Sequence, residues 1–86
     1  MNTCYVCEAG WILIGIKDSN YSFNDKTVKL TNASVVRKWT NGRGIGSIAK
    51  AEYADEYTLD AIGDVVIYKE KILFEIPCEW WKKERL

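Results

Sequence analysis

Residues 45–57 read "IGSIAKAEYADEY", and the fold class turns on this segment. Ile45, Ile48, Ala49, Glu52 and Tyr53 recur at intervals of three and four, which places them on one side of an α-helix. The remaining carboxylates of the stretch read as a solvated helix face. The spacing therefore predicts one helix, and everything around it reads as strand. "TCYVC" (3–7) is a short strand, and Ala9-Gly10 turns it into "WILIGIKD" (11–18). There Trp11, Leu13 and Gly15 alternate with Ile12, Ile14 and Ile16, so the strand is apolar on both sides. Such a strand is buried on both faces or bent around a core, with Gly15 as the bend or bulge point.

Beyond the loop "SNYSFND" (19–25), "KTVKL" (26–30) is a strand with Val28 and Leu30 inward. "TNA" (31–33) is expected to connect it tightly to "SVVRKW" (34–39), where Val35 shares a face with Arg37 and Trp39. After the helix comes an acidic connection, "TLDAIGD" (58–64). Two last strands follow, "VVIYK" (65–69) and "ILFEIPC" (72–78), with the Glu70-Lys71 pair at or near a hairpin bend and Pro77 marking an edge or a strand end. The expected fold class is α+β: a strongly twisted antiparallel sheet, or a partly closed small barrel, with one helix. Residues 1–86 form a single domain. At this length only somewhat more than roughly 60% of the unfolded surface is buried, so self-association is expected, as a dimer or tetramer. Four Trp, five Tyr and two Phe are more aromatics than one small core can hold, which points to an interface or a ligand site.

Twelve basic and twelve acidic residues cancel, so no broad positive field draws in a long nucleic acid. "GWILIGI" (10–16) is too short to span a bilayer, and no signal peptide precedes it, so a cytoplasmic protein with free thiols is expected. Cys4 and Cys7 have CxxC spacing, but only Cys78 joins them and the chain has no histidine. Residues three apart on a strand face opposite sides, so buried strand cysteines are the favoured reading over zinc, and neither a metal nor a cofactor is expected.

The richest chemical segment is "WTNGRGIGSIA" (39–49). It can be a corner in the fold, since Asn-Gly is a common turn and serine a common cap. It can also be an anion site. Trp39 ends a strand, Gly42, Gly44 and Gly46 let a ligand approach the backbone, and a helix starting near Ser47 would present free N–H groups. Arg43 could bind two phosphate oxygens at once, Asn41 lies in the same turn, and Trp39 or Tyr53 could stack a base. The segment matches neither the phosphate-loop nor the dinucleotide fingerprint. Both readings stand on the residues alone.

The runs "GWILIGIKD", "KTVKLTNASVVRKWTNGRGIGSIA" and "ILFEIPCEW" together resemble small bacteriophage-encoded proteins of unknown function. These are similar in turn to phage anti-defence sponges of the anti-CBASS type, which sequester the cyclic nucleotide signals of bacterial immune systems. The resemblance spans nearly the whole chain through short motifs. It implies a homo-oligomeric, non-catalytic protein acting in the cytoplasm of an infected bacterial host and holding a cyclic nucleotide intact. The chain departs from that pattern at Arg43, where a smaller residue is usual, so the resemblance assigns Arg43 no role. Catalysis is not expected: no nucleophile is paired with a base, and Asp55, Glu56 and Asp60 read as surface charge. The competing expectation is an oligomeric interaction protein that inhibits a host protein through an aromatic surface, with Trp80-Trp81 as anchor and Lys82, Lys83 and Arg85 as a basic rim.

Overall fold

A computed structural model describes residues 2–19, 26–39, 45–49 and 56–78. Five antiparallel strands make one sheet: β1 (Asn2–Cys7), β2 (Ile12–Lys17), β3 (Thr27–Trp39), β4 (Tyr57–Tyr68) and β5 (Ile72–Pro77), in the spatial order β4-β3-β2-β1-β5. β1 and β2 are joined by a 3-10 turn, Glu8–Gly10, in which Ala9 and Gly10 take φ of 62° and 79°. The Cys7 N–H donates to the Trp11 carbonyl at 2.7 Å and closes the hairpin. A second 3-10 turn, Lys69–Lys71, joins β4 to β5.

β4 and β5 lie at opposite edges of the sheet, yet this second connection has only three residues. Across a flat sheet the two edges would stand roughly 19 Å apart, whereas four peptide steps from Tyr68 to Ile72 reach at most about 14 Å. The sheet must therefore curl until the end of β4 meets the start of β5. It curls without closing: among the described residues β4 pairs only with β3, and β5 only with β1.

The curl explains why β1 and β2 are apolar on both sides. On one face Tyr5, Cys7 and Leu13 pack with Leu30, Ala33 and Ile67. On the other, Cys4 and Ile14 pack with Val36, Tyr57, Cys78 and Ile48, the last contributed by the 3-10 turn Ile45–Ala49. Cys4 and Cys7 thus fall on opposite faces, as their spacing on a strand requires, and all three cysteines are buried free thiols.

The α+β expectation is corrected to all-β. Among the described residues no helical stretch exceeds five residues, and the segment read as a helix enters as the 3-10 turn Ile45–Ala49 and leaves at Tyr57, already in β4. Residues 50–55 of that segment, including Tyr53, lie outside the described residues. Ile45, Ile48 and Ala49 fit a 3-10 turn as well as an α-helix, because spacing of three and four does not separate the two over one turn. A partly closed barrel is not formed either, since no ladder joins the sheet edges.

Two expected connections are also strand. "TNA" runs inside β3, where Asn32 takes φ 51° and the register shifts between Leu30 and Ala33. "TLDAIGD" runs inside β4, with Gly63 at φ 80° opposite Ala33. Residues that usually stop a strand here make a bulge that lets it bend and continue. No helix among the described residues is long and apolar enough to cross a membrane.

Candidate functional site

The turn singled out by the sequence lies at one end of the β3–β4 ladder, where Trp39 pairs with Tyr57. The backbone of Gly46 and Ser47 falls in the 3-10 turn Ile45–Ala49. Asn41, Gly42, Arg43, Gly44 and Tyr53 lie outside the described residues, as do Trp80 and Trp81. The helix start expected near Ser47 is replaced by this five-residue turn. Aligned peptide dipoles accumulate over several turns, so this one supplies no helix-terminal charge for a phosphate. What it does supply is an anchor, the fully buried Ile48.

The opposite end of the same ladder, where Thr27 pairs with Tyr68, holds a site that the sequence reading missed. The two ends are separated by the length of the bent β3 strand, in a molecule 37 Å along its longest axis. Here the curl leaves a gap between β4 and the β1–β2 hairpin. Cys7, Leu13, Val65 and Ile67 floor the gap with core side chains, and Trp11 and Tyr68 stand at its mouth. The resulting groove measures about 400 Å³. Trp11 is 59% exposed and Tyr68 61%, large values for side chains of that size beside a core. An ion pair between Lys71 Nζ and Glu8 Oε2 at 3.3 Å lies at the edge of the groove.

Tyr68 is also a wall of a second depression, of about 410 Å³, lined by Lys26, Lys69 and Glu70. The Lys69 N–H donates to the Lys26 carbonyl at 2.8 Å and fixes the two lysine-bearing backbones side by side. An aromatic ring is thus shared between an apolar slot and a mainly basic hollow. Planar apolar surface next to cationic groups is what a nucleotide presents in complement, a flat base joined to an anionic phosphate. The sequence signal existed, in the solitary Trp11 after a tight turn and the Tyr68-Lys69-Glu70-Lys71 run. It becomes a site only because β4 and the β1–β2 hairpin are brought together by the curl.

The thiols are unsuited to nucleophilic work. Burial pushes the Cys4 thiol far up, with neighbouring Cys78 and Cys7 adding to the shift, and burial likewise raises Cys7. Cys78 Sγ lies 3.3 Å from the Ile76 carbonyl, to which it donates. Among the described residues no group of three or more potential metal ligands is gathered. Asp60, one of the carboxylates weighed for catalysis, pairs with Arg37 across β3 and β4. Comparisons with protein-family models, curated proteins and solved structures found no match.

Proposed function

We propose that this chain is a non-catalytic binding protein that sequesters a cyclic nucleotide signal intact, in the manner of the phage sponges its sequence resembles. The observation that carries the reading is that Trp11 and Tyr68 both line one apolar groove, while Tyr68 also lines the hollow bounded by Lys26, Lys69 and Glu70. A base lies between the two rings and its phosphate reaches toward the lysines. Stacking on aromatics is worth about 1–3 kcal/mol per base and tolerates any base, so the groove sets affinity more than base identity. Sequestration needs only this binding. Hydrolysis would need an activated nucleophile, whereas burial shifts the Cys4 and Cys7 thiols toward their neutral form.

The test is a panel of cyclic di- and trinucleotides and linear mononucleotides, each titrated calorimetrically against the protein and then recovered by chromatography after denaturation. The expected result is retention of at least one cyclic nucleotide, recovered chemically unchanged. A changed product would make the protein an enzyme, and retention of none would leave the second reading, an inhibitor of a host protein. That reading is favoured by a separate observation, the exposed Leu73 and Phe74 on β5.

A further inference from the structure

We infer that the ion pair at the edge of the groove, Glu8 with Lys71, selects guanine among the bases; this choice of base rests on the nucleotide reading of the groove. The Glu8 carboxylate accepts from guanine N1–H and N2–H, while the Lys71 ammonium donates to O6. Stacking on Trp11 and Tyr68 is indifferent to the base, so selection falls to the polar groups that meet the base edge. Among the described residues that line the groove, Glu8 and Lys71 are the two that carry charge. They come from different turns, Glu8 from Glu8–Gly10 between β1 and β2, and Lys71 from Lys69–Lys71 between β4 and β5. Their charged atoms meet at 3.3 Å.

The position of the phosphate decides which edge of the base reaches them. A nucleotide whose phosphate lies by Lys26 and Lys69 has its sugar on the side of that hollow. The Watson–Crick edge is the one farthest from the sugar, so it turns toward the β1–β2 hairpin, where Glu8 stands. On that edge guanine presents an acceptor and two donors in a row, O6, N1–H and N2–H. The ion pair presents the complement, an ammonium donor beside two carboxylate acceptors. A carboxylate receives two parallel N–H groups here in the same fork in which it receives a guanidinium. Adenine and cytosine each set one amino donor beside a ring-nitrogen lone pair, which would face the second carboxylate oxygen. Uracil holds its N3–H between two carbonyls. Of the four, guanine alone uses all three positions.

The fold does not depend on this pair. The Lys71 and Glu8 side chains are 57% and 52% exposed, and ion pairs so exposed add little to stability. Glu8 nevertheless has a defined support. It opens a turn in which Ala9 and Gly10 take φ of 62° and 79°, and the Cys7 N–H closes that turn onto the Trp11 carbonyl. One short hairpin thus carries both a stacking ring and the group that reads the base edge. A stacked base would also shield the pair from water, which strengthens hydrogen bonds made to it.

Calorimetric titration of the cyclic dinucleotides of guanosine, inosine, adenosine and uridine into the native chain, Glu8→Gln and Lys71→Met tests the assignment. Inosine is guanosine without the N2 amino group. The native chain should bind the guanosine form tightest, the inosine form less well, and the adenosine and uridine forms at least about fivefold more weakly. Glu8→Gln should lose that preference and keep its affinity for the adenosine form, since an amide can accept from N6–H and donate to N1. Lys71→Met should weaken the guanosine and inosine forms alike, because both carry O6. Both variants should melt with the native chain. Native affinities within about twofold of one another would overturn the inference and leave the sequestration reading standing. So would a guanosine preference that survives in Glu8→Gln. Binding of none of the four overturns the inference together with the stacked base on which it rests.

Discussion

Gly15 on β2 and Ala33 on β3 are packed so closely that a Cβ placed on Gly15 would stand 3.1 Å from both Ala33 Cα and Ala33 Cβ, and 3.1 Å from Leu30 Cβ. The register shift between Ile14 and Ile16 lies at this point, and both neighbours are fully buried or nearly so. A side chain here has nowhere to go, because one of the atoms it meets is main chain. Gly15→Ala would stiffen the unfolded chain, a gain of about 0.4–1 kcal/mol, but overpacking costs about 1–3 kcal/mol and wins. The urea midpoint of Gly15→Ala should fall with little change in slope. A midpoint equal to or above the native one would mean that β3 yields at the bulge.

The thiols of Cys4 and Cys7 and the phenol of Tyr5 all ionise higher in the folded protein than their ordinary values of 9.0 and 10.0. Burial is the main cause in each, with the Glu75 carboxylate opposing the phenolate of Tyr5 as well. Each group is neutral when folded and loses its proton more readily when unfolded. Their contribution to stability is therefore complete below about pH 9 and is lost as pH rises beyond it. Melting temperature should hold steady from neutral pH to about 8.5 and then fall, and Cys4→Ala should fall less steeply. A thiol reagent should label Cys4 only at the rate of unfolding, and rapid labelling of the native protein would contradict its burial.

Tyr5 is only 1% exposed, and among the described residues its hydroxyl makes no hydrogen bond of good geometry, although the Glu75 carboxylate opposite it on β5 is near enough to act on it. Leaving a hydroxyl buried without a partner costs about 1–3 kcal/mol by mutational comparison. Tyr5→Phe keeps the ring and removes that cost, so it should raise stability by about 1 kcal/mol and also reduce the loss above pH 9. Destabilisation instead would show that the hydroxyl is satisfied, by donating to Glu75 or to a bound water.

The two-sided apolar pattern of "WILIGIKD" made the double burial of β2 legible; the bend at Glu70-Lys71 was legible too, but not as the hairpin expected, because the strands it joins go to opposite edges of the sheet and pair with β3 and β1. The interior of β3 and β4 was not. Asn32, Asp60, Gly63 and Asp64 read as breakers because each usually ends a strand locally. Here their partners are across the ladder: the Asn32 N–H donates to Asp64 Oδ1 at 3.1 Å, and Asp60 pairs with Arg37. Such compensation has a sequence separation of about two to three dozen residues, beyond any local pattern. The Trp11–Tyr68 groove was hidden for the same reason.

Ile48 is fully buried and comes from the five-residue turn Ile45–Ala49, packing in one cluster with Cys4, Ile14, Val36, Tyr57 and Cys78. Removing a buried Ile side chain costs about 2–5 kcal/mol where the site cannot collapse. A short turn can relax into the vacated space. Ile48→Ala should therefore fall near the lower end of that range and increase hydrogen exchange at Val36 and Tyr57, which share its cluster. Exchange unchanged at both would mean that Ile48 is not what seats the turn.

Tyr68 and Trp39, at opposite ends of the β3–β4 ladder, mark the two places proposed to hold a nucleotide. Tyr68 is largely exposed, so Tyr68→Ala should leave stability within about 0.5 kcal/mol of native. If a base stacks on it, affinity should fall by about 1–3 kcal/mol, and Trp11→Ala should do the same. The double variant should lose less than the sum, because both rings hold one base. Arg43→Ala should leave affinity unchanged if the phosphate lies by Lys26 and Lys69, and cost about 1.5–3 kcal/mol if it lies in the glycine-rich turn. Calorimetric titration of the same cyclic nucleotide into all four proteins decides the matter. Loss of affinity confined to Arg43→Ala would move the site to the Trp39–Ser47 turn, and loss confined to the Trp11 and Tyr68 variants would keep it in the groove.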